Sequence, residues 1–143
     1  MRHSKILWEK KLNTLAGKIL VALKKKNAFV EVFLLPDVTM RQLERTYMKK
    51  EKKIVDVLSF AEPEGFPHPE VRTRKPLGQV YLNWELHPAD LSRLRFLLVH
   101  GILHILGYDH ERKRDSIEME ALEQKVLAAL DSGKKTRRAR TRR

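Results

Sequence analysis

Three histidines fall within twelve residues, in "VHGILHILGYDH" from Val99 to His110. His100 and His104 are four apart in a stretch with helical apolar spacing. Residues i and i+4 lie one turn apart on the same helix face. Two such imidazoles can converge on one ion at roughly 2.0–2.1 Å, the usual zinc–nitrogen distance. Gly107 suits the left-handed residue that ends a helix. His110 can then return from outside the helix and complete a three-histidine face. Three protein ligands leave a fourth tetrahedral position for water, as in a catalytic rather than a structural zinc site. The ion lowers the pKa of that water toward roughly 7. The flanking Leu97, Leu98, Ile102, Leu103, Ile105 and Leu106 are apolar, and buried imidazoles without partners are costly. The expectation is one zinc per chain on His100, His104 and His110.

The spacing H-x-x-x-H-x-x-G-x-x-H is that of the metzincin proteases, whose glutamate after the first histidine is the general base. Here that position is Gly101. Glycine cannot carry a proton, and within a helix it costs about 1 kcal/mol relative to alanine. Its expected use is close packing or substrate access. Proteolysis is therefore disfavoured against another metal-assisted hydrolysis. No general base is evident. Asp109 is a candidate, or a partner that orients a ligand; Glu111 is a second candidate.

These residues need a scaffold. Trp8, Leu12, Leu15, Ile19, Leu20 and Leu23 predict an amphipathic helix that Asn27 breaks. "AFVEVFLL" (Ala28 to Leu35) predicts a strand stopped by Pro36. Thr39 with Gln42 reads as a capping box opening a second helix. Strands are expected over Ile54 to Phe60 and Leu77 to Trp84. Between them lies a proline-rich loop, with four of the chain's six prolines, of a length often found at functional sites. Pro88 and Asp90 open the histidine helix, and Gly107 closes it. A last helix presents Ile117, Leu122, Val126, Leu127 and Leu130, and Gly133 ends it. The order α-β-α-β-β-α-α predicts a single α+β domain over 1–131, a small mixed sheet covered by helices.

Composition narrows the partners. The chain has 143 residues, enough for a real core. It has no cysteine, so disulfides, thiol nucleophiles and cysteine zinc sites are excluded. No apolar window spans a membrane, and a cytoplasmic location is the default. The net charge is +12, and the last ten residues, "KKTRRARTRR", carry seven positive charges and no negative one. The remainder is still +5. A polyanionic partner is expected, with 132–143 as a basic, disordered tail.

"HGILHILGYDH" resembles the signature of the YbeY family, bacterial metal-dependent endoribonucleases of rRNA maturation. "DVLSF" (Asp56 to Phe60) and "EMEALE" (Glu118 to Glu123) are similar to two further stretches of that family. The glycine after the first histidine belongs to the family pattern. The resemblance implies zinc at His100, His104 and His110. It implies a sheet of about four strands. The implied activity is single-strand-specific endoribonuclease cleavage in maturation of the small-subunit rRNA 3′ end and in ribosome quality control. The implied partners are rRNA and the small ribosomal subunit; neither membrane nor nucleotide cofactor is expected. Two positions depart from the family: Met48 stands where it has arginine, and Gln79 where it has a carboxylate. Lys49, Lys50, Arg72 and Arg74 are candidate phosphate contacts. A non-catalytic ribosome-associated factor with a structural zinc is the alternative, and a metzincin-like peptidase a third.

Overall fold

The computed structural model describes residues 2–49, 54–63, 74–108 and 113–141, with side chains over 4–49, 54–63, 74–108 and 115–132. The element order is α1 (Arg2–Ala22), β1 (Ala28–Leu35), α2 (Asp37–Leu43), a π-helical segment (Glu44–Met48), β2 (Val57–Ala61), β3 (Lys75–Asn83), α3 (Leu91–Ile105) and α4 (Lys113–Thr141).

β3 is central, with β1 parallel and β2 antiparallel to it. The mixed sheet is as expected, but among the described residues it has three strands rather than four. Its strands alternate in burial, because successive side chains face opposite sides. Val30, Val32, Leu34, Val80 and Leu82 pack against Leu12, Ile19 and Leu20 of α1, Leu98 and Ile102 of α3, and Met119 and Val126 of α4. The opposite face carries a smaller cluster in which Met40 of α2 meets Val55 and Leu58.

The two sheet edges are treated differently. On β1, Asn13 of α1 donates to the Val32 carbonyl at 3.0 Å and accepts from the Val32 amide at 2.9 Å. Glu9 accepts from the Leu34 amide at 2.9 Å. These side chains satisfy backbone groups that an unpaired edge leaves open. At the other edge, β2 forms one wall of a cleft.

Several boundaries differ from expectation. α1 stops at Ala22, with Lys24 in the left-handed region at φ 61° as its terminating residue. α2 begins at Asp37, not at Thr39, and has no side-chain cap. Pro36, held near φ −68°, already starts the helix as its N-cap. β2 begins at Val57 rather than Ile54. α4 runs through Gly133 to Thr141, so the backbone of the basic segment is helical. One glycine costs a helix only about 1 kcal/mol, and the arginines and lysines beyond it are good helix formers. Ile117 is 60% exposed, while Met119 is fully buried in its place. Among the described residues no helix is long and apolar enough to cross a membrane.

Candidate metal centre

α3 is built to hold its histidines still. Its Asp90 cap accepts a hydrogen bond from the Arg93 amide at 3.1 Å, satisfying one of the helix's orphan donors. Leu94, Leu98, Ile102 and Leu103 are fully buried and anchor it to the core. At its far end the Gly107 amide donates to the His104 carbonyl at 3.0 Å and the Tyr108 amide to the Leu103 carbonyl at 3.1 Å. Gly107 has φ 101°. This is the Schellman pattern expected of a glycine just past the last turn.

His100 and His104 emerge on one face, half-buried. Their Nε2 atoms are 3.0 Å apart. The rings are edge-to-face, with centroids 4.6 Å apart. Phe96 stacks on the other side of His100, 27° from parallel. His100 Nδ1 lies 3.3 Å from Oε1 of Glu123, a buried carboxylate on α4.

The two histidines open into a cleft of about 640 Å³. Its walls are β2 and the chain leading into it (Val55 to Ser59 and Ala61), the π-helical segment through Glu44 and Met48, and the end of α3 through Tyr108. π-helical turns are rare and frequent at functional sites. Glu44, 3% exposed, comes from such a turn into the cleft wall. Asp56, also in the wall, is held by Arg93 Nη2 at 3.2 Å.

Gly101 lies between the histidines, buried against the sheet. A Cβ there would sit 3.0 Å and 3.2 Å from the Val80 methyls and 3.4 Å from Val57 Cγ2. Close packing, one of the two uses expected for this glycine, is observed, and Gly101 also lines the cleft. It lets α3 approach β2 and β3 and brings the histidines to the cleft floor.

The remaining sequence candidates fall in different places. His110, with Asp109 and Glu111, lies outside the described residues, as do Lys50 and Arg72. Among the described residues no three His, Asp or Glu side chains form a group able to hold an ion. Lys49 is exposed and left-handed at φ 53°, just past the π-helical segment. Arg74 stands over the Phe29 ring, 5.7 Å from its centroid; neither cation is among the cleft-lining residues. Met48 does line the cleft and is 41% exposed. Gln79 donates to Glu62 at 3.3 Å. It alternates with Val80, which packs under Gly101, and so faces the side of the sheet away from the histidines.

Glu44 and Glu123 were not singled out from the sequence for this site. A signal existed for Glu123. It sits between Met119 and Val126 in a stripe of otherwise apolar residues, where an acid calls for a partner.

The family model described as endoribonuclease YbeY matches residues 2–131. An endoribonuclease YbeY of Myxococcus xanthus is 36% identical over 91% of the chain and 48% of that protein. The chain thus spans about half the length of that relative. An endoribonuclease YbeY of Geobacter metallireducens is 35% identical over 85% of each chain. A solution structure from Thermotoga maritima aligns with a TM-score of 0.48 at 22% identity, over 87% of this chain and 86% of that one.

Proposed function

The chain belongs to the YbeY endoribonuclease family, and from that premise we propose that it is a zinc-dependent, single-strand-specific endoribonuclease. Its proposed substrate is rRNA of the small ribosomal subunit, at 3′-end maturation and in ribosome quality control, in the cytoplasm. The observation that carries the metal-dependent reading is the 3.0 Å approach of the His100 and His104 Nε2 atoms at the cleft floor. Two imidazole nitrogens on one tetrahedral zinc lie about 3.3 Å apart, so the pair fits the ion with little adjustment. His110 is the proposed third ligand. When bound, zinc supplies an activated water and polarises a phosphoryl oxygen.

The chain's own groups do the rest. Neutral imidazoles at His100 and His104 offer lone pairs, which the buried packing of α3 keeps aligned. The proposed path of an unpaired strand runs along the cleft that β2 and the end of α3 line. Lys49, Lys50, Arg72 and Arg74 are the proposed phosphate contacts, and residues 132–143 form a basic extension of the 1–131 domain that adds sequence-independent affinity. The domain without its last ten residues is +5, which favours a polyanion over a peptide.

Gly101 argues against a peptidase: a glutamate there would have to displace Val80. The test is cleavage of single-stranded rRNA fragments by the purified chain and by His104→Ala. Loss of cleavage in a folded, zinc-poor variant is expected. Undiminished cleavage by that variant contradicts the proposal.

A further inference from the structure

Glu123 is 4% exposed, and its Oε1 lies 3.3 Å from His100 Nδ1. That is hydrogen-bonding distance, and a histidine that ligates a metal through Nε2 carries its hydrogen on Nδ1, the atom that faces this carboxylate. A neutral ring with its hydrogen on Nδ1 has its lone pair on Nε2, the atom 3.0 Å from His104. We infer that Glu123 is the positioning residue for His100 as a metal ligand. It selects the tautomer, fixes the ring and raises the basicity of Nε2. The inference rests on the metal-site reading above.

Three observations support it. The carboxylate comes from α4, 23 residues away in sequence, so its contact is no by-product of α3 geometry. Met119 and Val126, one turn to either side, are buried in the core and leave the carboxylate little freedom. Phe96 stacks on the His100 ring and restricts its plane, while Glu123 sets its rotation within that plane. A buried carboxylate is also expensive among apolar neighbours, and an apolar residue would pack there at lower cost.

The test compares the full chain with Glu123→Ala and Glu123→Gln. Zinc affinity is measured by chelator competition, the cobalt(II) absorption spectrum is recorded, and the metal-free thermal transition is followed alongside. Zinc affinity is expected to fall about 10- to 100-fold in Glu123→Ala. Glu123→Gln keeps an acceptor oxygen and should recover part of that loss. The cobalt bands should shift in Glu123→Ala. Affinity within about twofold of wild type overturns the inference. So does an equal loss in both variants that merely follows their metal-free stability. If Glu123→Ala does not fold, Glu123→Gln decides: a loss of about threefold or more supports the role, and wild-type affinity overturns it. Failure of the metal-site reading looks different. There the wild type takes up no zinc, or His104→Ala binds as well as wild type, and the inference falls with it.

Discussion

Gly101 and Val80 are in contact across the helix–sheet interface, closely enough that a single added carbon on Gly101 would lie 3.0 Å from a valine methyl. The histidine helix and the central strand are therefore spaced by the absence of a side chain. The residue at the position of the protease base is a packing residue.

Replacing it tests this. Gly101→Glu should destabilise the chain by about 3 kcal/mol or more, since it overpacks the interface and buries a carboxylate against Val80 and Val57. Urea unfolding measures it. Gly101→Ala gains helix propensity but crowds Val80, so the two sites should couple: Val80→Ala should cost less stability in the Gly101→Ala chain than in wild type. Wild-type stability in Gly101→Glu would contradict the packing role.

Asp37 gives a pH dependence. Its carboxylate accepts from Arg41 Nε and from Asn83 Nδ2, both at 2.8 Å. These bonds hold its pKa below the ordinary 3.8. A group whose folded pKa is depressed adds stability that is complete above its unfolded pKa and is lost as pH falls through the folded one. The stability difference between wild type and Asp37→Asn should thus be constant near neutrality and shrink below about pH 4. Arg41 is exposed, so salt should reduce the effect. Denaturation midpoints across that range check it, and a difference that grows on acidification would contradict it.

Met48 lines the cleft and is 41% exposed, so a cation placed there would face a bound strand. Met48→Arg should strengthen binding of single-stranded RNA by up to about tenfold, the worth of one charge-assisted hydrogen bond. Gln79, on the far side of the sheet, should have no such effect when changed to Asp. Filter binding of a short oligonucleotide at fixed salt separates the two.

The basic end of α4 should act through charge alone. Deleting residues 134–143 removes seven positive charges. The slope of log affinity against log salt should flatten by up to about 5, or 0.7 per lost phosphate contact. Cleavage of a saturating substrate should persist. An unchanged salt slope would contradict this assignment.

Much of the helix that carries His100 and His104 was legible in the sequence, for reasons that differ by residue. His100, His104 and Gly107 could be read because helical periodicity and helix termination are local rules, and α3 obeys them from its Asp90 cap to Gly107. β1 matched its expected span for the same reason: β-formers ended by a proline. Glu123 could not be paired with His100 from sequence, because the contact joins two helices whose relative placement depends on the whole core. Glu44 lies one regular turn after the buried Met40, but a carboxylate in a short, charged helix reads as a solvated side chain, so its burial was hidden. Gly133 does not end α4, because the helix-forming residues on either side of it outweigh the cost of one glycine.

The central claim is that His100 and His104 hold a catalytic ion in an otherwise stable fold. The most direct measurement is zinc content paired with cleavage. The purified chain and His104→Ala are assayed for bound zinc, for folding by circular dichroism, and for cleavage of single-stranded rRNA fragments. One zinc per wild-type chain is predicted, with both zinc and cleavage lost in a variant that keeps its helical spectrum. A zinc-free variant that still cleaves, or a wild type that binds zinc stoichiometrically and cleaves nothing, would contradict the account.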